Sequence, residues 1–212
     1  MSSEVETSLN ISEIVRDSST PVGMTKMVRE GTRAIPRAFT IIEVLLVIAI
    51  IIILAGLILS TVGYVQKKGA RSRAEAEIAA MSAALESYKA DNGIYPRDAT
   101  KTDQVDPAAS PIPTAATQFL YEQLSGNSAT NLQPISGARS YFAFKPQMLF
   151  GTKDSSGNLT SVSYIRDPFG NSYGYSTLKA SGGTGGYNPT FDLWSIADDS
   201  SGTNQTKWIK NW

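Results

Sequence analysis

The sequence predicts an α+β protein in which one long N-terminal α-helix, half apolar and half amphipathic, packs on a small antiparallel β-sheet head. Three observations predict it. The sixteen residues from Val44 to Leu59 carry no polar side chain. Beyond Lys67, apolar positions recur at helical spacing until Asn92-Gly93 and Pro96 forbid continuation. From Ser140 onward, aromatic and β-branched residues alternate with Gly, Pro and Asn, the punctuation of short strands.

Residues 1–38 contain Ser, Thr and Glu without apolar periodicity and read as an unstructured leader. Residues 39–63 read as a transmembrane helix. No charge falls between Glu43 and Lys67, which leaves 23 uncharged residues. At about 1.5 Å per residue they extend roughly 34 Å as a helix, enough for a hydrocarbon core of roughly 30 Å. Soluble buried helices rarely carry ten consecutive aliphatic residues such as Val44–Ile53. Lys26, Arg29, Arg33 and Arg37 precede the run against Glu30 alone, and basic flanks keep that end in the cytoplasm. A cleaved secretory signal would have a shorter apolar region followed by a small-residue site. Ser60-Thr61-Val62-Gly63 loosely mimics such a site, but the helical pattern runs on past it. Glu43 stands at the cytoplasmic edge of the run, where an unpaired carboxylate is costly and calls for a partner. In a lone anchor it would rest among the headgroups.

Residues 64–93 read as the amphipathic half. Ala74, Ile78, Met81, Leu85 and Tyr88 form one stripe facing the sheet, and Arg71, Arg73, Glu75, Glu77 and Lys89 occupy the other face. Arg71–Glu75 and Arg73–Glu77 are i,i+4 pairs. Residues 94–212 form the head. Residues 97–113 are a polar, proline-bearing loop, and Thr114–Leu124 is a short second helix, with Phe119, Leu120 and Leu124 on one side and Gly126 as its stop. Strands are predicted at about 141–145, 160–166, 172–178 and 190–196, with a Gly-rich loop at Ala180–Gly186. Tyr141, Phe142, Phe144, Tyr164, Tyr173, Tyr175 and Trp194 could line a sugar-binding strip, but at alternating strand positions they read first as core.

Composition removes many functions. There is no cysteine and no histidine, so thiolate chemistry, disulfides, the common triads and most zinc sites are excluded. Lys+Arg and Asp+Glu both number 19, which gives no electrostatic argument for nucleic acid. No enzyme is expected.

The segment Arg37-Ala38-Phe39-Thr40-Ile41-Ile42-Glu43-Val44 resembles the processing site of type IV pilins and type II secretion pseudopilins, usually G-F-T-L-I-E. Three further blocks occur in family order: Tyr88-Lys89-Ala90-Asp91-Asn92-Gly93-Ile94-Tyr95-Pro96, Asp167-Pro168-Phe169-Gly170-Asn171-Ser172-Tyr173-Gly174-Tyr175, and Phe191-Asp192-Leu193-Trp194-Ser195. These are similar to the major type II pseudopilin. The resemblance implies a type IV pilin-like fold, cleavage by a prepilin peptidase between Ala38 and Phe39, and N-methylation of Phe39. Ala38 stands where the family usually has Gly. It further implies that Glu43 pairs with the terminal ammonium of a neighbouring subunit, setting register in a homopolymer built through the N-terminal helix. The implied partners are the inner-membrane assembly platform and minor pseudopilins, with the head in the periplasm and no nucleic acid.

The family's C-terminal loop binds calcium, and Ser195, Asp198 and Asp199 resemble the start of that loop. Calcium needs six to eight oxygens. The chain then departs: residues 200–208 carry no acid where the family usually places an Asp pair, and Lys207 puts positive charge there, so a loop tied down by Trp208 and Trp212 is expected in place of metal. The function implied is a structural subunit of a secretion pseudopilus. A type IV pilin for adhesion, motility or DNA uptake is the neighbouring alternative, and a membrane-anchored enzyme or receptor the more distant one.

Overall fold

The computed structural model describes residues 39–199 and 201–212. The predicted leader, with its basic residues and Ala38, lies outside the described residues. The chain divides into two compact units, one ending at Val47 and the other comprising Ile48–Trp212.

Helix α1 is Ile41–Asn92, 52 residues, or about 78 Å at 1.5 Å per residue. Thr40 opens it: its carbonyl accepts from the N–H groups of Glu43 and Val44 (3.1 and 3.2 Å), and its Oγ1 also accepts from Glu43 N–H (3.3 Å). Asn92 and Gly93 close it. The Asn92 amide donates to Tyr88 O, and Gly93, at φ +79°, donates to Lys89 O at 2.7 Å. A left-handed residue at this point satisfies an orphan carbonyl, which is why glycine stands there.

Within Ile48–Trp212 the core draws on both helices. Ala74, Ile78, Met81, Ala84 and Leu85 of α1 are buried and Tyr88 is half-buried, the stripe that the spacing predicts. Helix α2 is Thr114–Ser125, entered through Pro113 and ended by Gly126 at φ +73°. It buries Ala116, Leu120, Tyr121 and Leu124. Phe119, expected inside, is only half-buried, with the Lys101 ammonium over its ring, and Tyr121 takes the interior place. Backbone approach to the strands is closest for α2, against β2 and β3, whereas α1 reaches the sheet through side chains.

The strands are shorter than predicted and form two sheets rather than one. β1 (Leu149–Phe150) pairs antiparallel with β2 (Tyr164–Ile165). β3 (Gly174–Ser176), β4 (Asp192–Ser195) and β5 (Ile209–Lys210) form an antiparallel sheet in that order. The strand predicted at 141–145 does not exist, because Tyr141 and Phe142 donate their N–H groups to Leu124 O at 2.7 and 2.9 Å. The segment satisfies the end of α2 and then enters a 3₁₀ turn at Pro146–Met148. The remaining predicted strands shrink to 164–165, 174–176 and 192–195, and β1 and β5 fall outside the predicted strands.

Tyr173, Tyr175 and Trp194 are fully buried, so these aromatics are core. Gly174 pairs in register with Trp194, and a Cβ at Gly174 would run into the Trp194 indole; the indole lies against the bare backbone of β3.

Met81 is completely buried on the α1 stripe. Met81→Ala is expected to lower the unfolding free energy by about 2–5 kcal/mol, the ordinary cost of truncating a core side chain, as read by denaturant titration of the detergent-solubilised chain.

Candidate functional site

Two regions carry the residues that the sequence singles out. The first is the start of α1. Phe39 is exposed, and Glu43 lies in the first turn of the helix, also exposed. The positive end of the helix dipole favours a carboxylate there. Thr40 holds the Glu43 backbone N–H through its hydroxyl, and Thr40-x-x-Glu43 is the spacing of a capping box. That spacing was the available signal.

From Val44 through Leu59 the large aliphatic side chains are exposed, and the most apolar stretch of α1 has none of its residues buried inside the molecule. The helix is long and apolar enough to cross a membrane. Nothing in the described protein covers this surface.

The second region is the loop between β4 and β5. The three candidate calcium ligands engage separate partners. Ser195 Oγ is buried, donates to Asp167 Oδ2 at 2.5 Å and accepts from Ala197 N–H at 2.9 Å. Asp198 forms an ion pair with Lys67 at 3.4 Å. Asp199 accepts from the Ser201 hydroxyl (2.6 Å) on one oxygen and from Asn204 N–H (2.7 Å) on the other. The Ser201 hydroxyl first, then Asn204 N–H and the nearby Trp208 indole, hold the Asp199 carboxyl below its ordinary pKa despite burial. The Trp208 indole N–H faces that carboxylate without reaching hydrogen-bond geometry. Among the described residues no three carboxylates gather into a metal cluster. Ser195 points to Asp167, Asp198 to Lys67 and Asp199 to Ser201 and Asn204, so the three residues as arranged do not converge on one ion that needs six to eight oxygens.

The aromatic tie expected of the loop is present. Trp208 stacks on Trp194 with centroids 6.3 Å apart, Trp212 meets Trp194 edge-on at 6.0 Å, and Tyr187 stacks on Trp212 at 4.4 Å.

Two polar residues acquire roles that the sequence did not suggest. Glu77, placed on the solvent face of α1, accepts from the Tyr173 hydroxyl at 2.7 Å as well as from Arg73 at 3.2 Å. Asp167, of the Asp-Pro-Phe-Gly turn, is buried and accepts from Ser195 Oγ and from the N–H groups of Phe169 and Asn171. Burial raises its pKa, and these donors oppose the rise. An open groove of about 830 Å³ beside β1 includes Phe144, Leu149, Phe150, Lys153 and Arg166 in its lining. No carboxylate lines it.

A long apolar N-terminal helix that runs into a small head with short antiparallel sheets is the α+β arrangement of a pilin-like fold. No family model matches the chain. Over 130 residues it is 28% identical to the type II secretion system core protein G of Pectobacterium carotovorum subsp. carotovorum, a match that covers 58% of this chain and 83% of that protein.

The lowered pKa of Asp199 carries a pH dependence. A carboxylate whose folded pKa lies below its unfolded value stabilises the fold above the unfolded pKa, and that contribution is lost as pH falls through the folded pKa. Asp199→Asn is therefore expected to be less stable than the wild type at pH 7, with the difference shrinking as pH falls below about 4, where the unfolded carboxyl takes up its proton, and vanishing once pH passes below the lowered folded pKa. Tryptophan fluorescence during thermal unfolding at a series of pH values measures it.

Proposed function

We propose that the chain is a structural subunit of a periplasmic pseudopilus in a type II secretion system. A prepilin peptidase cuts between Ala38 and Phe39 on the cytoplasmic side and N-methylates Phe39. The processed subunit waits in the inner membrane on α1, with the head outside, and then joins a homopolymer through the apolar half of that helix. The assembly platform and minor pseudopilins are its partners in this process.

The observation that carries the reading is the bare aliphatic surface of Val44–Leu59 with a carboxylate, Glu43, at its very start. An anchor alone needs the apolar run and has no use for the acid. In a filament, the same run packs helix on helix, and each Glu43 meets the terminal ammonium of a neighbour in low dielectric. Either charge alone is expensive there, and together they specify one register. The similarity to a secretion-system core protein supports the same reading.

Mass spectrometry of the chain from membranes that contain a prepilin peptidase is expected to find N-methylated Phe39 as the first residue; an intact leader would overturn the processing step. Glu43→Ala is expected to stay folded and membrane-bound while filaments, seen by electron microscopy after overexpression, are lost. Breaking a buried pair costs about 3–5 kcal/mol, on the order of a hundredfold or more at each subunit contact.

A further inference from the structure

We infer that α1 supplies the cations that hold the C-terminal loop. The Arg71 guanidinium on loop carbonyls and the Lys67 ammonium on Asp198 tie down the two ends of the loop for which the resemblance implies calcium, so the head folds without a divalent ion.

The loop joins two neighbouring strands whose register is fixed by Trp194↔Lys210 and Ser195↔Ile209. A connection of this length is costly to order and needs ties along its course. Near its first end, Asp198 meets Lys67 at 3.4 Å. At its far end, Arg71 Nη1 donates to Lys207 O at 2.8 Å and Nη2 reaches Trp208 O at 3.5 Å. The Arg71 Nε holds Glu75 at 3.2 Å, which fixes the guanidinium plane. Lys67 and Arg71 are one turn apart on the same side of α1, so a single helix face takes both ends of the loop.

The chemistry explains the choice of residue. A guanidinium carries its donors in a rigid planar fork and can bond two adjacent carbonyls and a carboxylate at once, a task for which a metal ion would otherwise use its coordination shell. Inside the loop, Asp199 is satisfied by Ser201 and Asn204. Calcium entering here would compete with these donors, and it would meet the positive charges of Lys67 and Arg71. Trp208 closes the far end by stacking on Trp194. The clamp rests on these distances alone, independent of any role in secretion.

Of the three tryptophans of the chain, Trp194 is on β4, Trp208 is in the loop, and Trp212, just past β5, packs against Trp194, so intrinsic fluorescence reads the loop's order. The test uses the full chain in detergent, with fluorescence-detected thermal unfolding in excess calcium and in excess EGTA, and timed trypsin cleavage after Lys207. The same midpoint is expected in both solutions. Arg71→Gln is expected to lower the midpoint and to accelerate cleavage after Lys207 on the order of tenfold or more, the equivalent of one lost charged hydrogen bond, with no rescue by calcium. Lys67→Gln, at an exposed position that tolerates substitution, provides a second reading should Arg71→Gln fail to fold, and a smaller acceleration is expected. A midpoint that falls in EGTA and returns with calcium would overturn the inference, as would cleavage rates unchanged in the variants. An unprocessed Phe39 would refute the pseudopilus reading and leave this result untouched.

Discussion

The structure depends on a helix that has two incompatible surroundings along its length. From Val44 to Leu59, α1 presents aliphatic side chains that no part of the described protein covers. From Ala74 to Leu85, the same helix contributes the stripe on which the head's core is assembled. Exposed hydrocarbon on this scale is strongly unfavourable in water, so the first half requires an apolar medium. The second half requires the head. Both demands are met by one uninterrupted helix with its cap at Thr40 and its stop at Gly93.

That division explains where the polar residues fall. Glu43 marks the start of the apolar run and Lys67 the first charge after it. Beyond Lys67, charged groups serve as fasteners between the helix and the head. Lys67 and Arg71 take the C-terminal loop, and Glu77 takes the Tyr173 hydroxyl, while Asp91 and Asn92 reach Arg139 and Tyr141. Exposed ion pairs such as Arg139–Asp91 contribute little each. The contacts to carbonyls and to the buried Tyr173 are the more valuable, because they satisfy groups that the fold removes from water.

The sheets show why a head of this size relies on side chains. Strands of two to four residues offer few ladder hydrogen bonds, and the order of β3, β4 and β5 is reinforced by packing. Trp194 fills the space that a glycine leaves at 174 on the paired strand, and Trp208 and Trp212 close on it from the C-terminal end. The buried Asp167 joins the same assembly through Ser195. A turn and a strand distant in sequence are thus fixed to each other by one short hydrogen bond.

The sequence by itself determined both helices, their ends and the stripe of α1, because helical periodicity, Asn-Gly and Gly stops are local and survive without tertiary context. It also marked Glu43 and the apolar run, since a carboxylate at the edge of an aliphatic segment is conspicuous in composition alone. Only the tertiary structure decided the strands. Tyr141–Lys145 has strand-like residues, yet its N–H groups meet the end of α2 before any strand can claim them. Ile209–Lys210 is too short for a pattern and exists because β4 lies beside it. The use made of Arg71 was equally hidden. On the helix it looked like half of an i,i+4 pair with Glu75, and that pair is there. Its other partners are main-chain carbonyls more than a hundred residues away, and carbonyl groups leave no trace in a sequence.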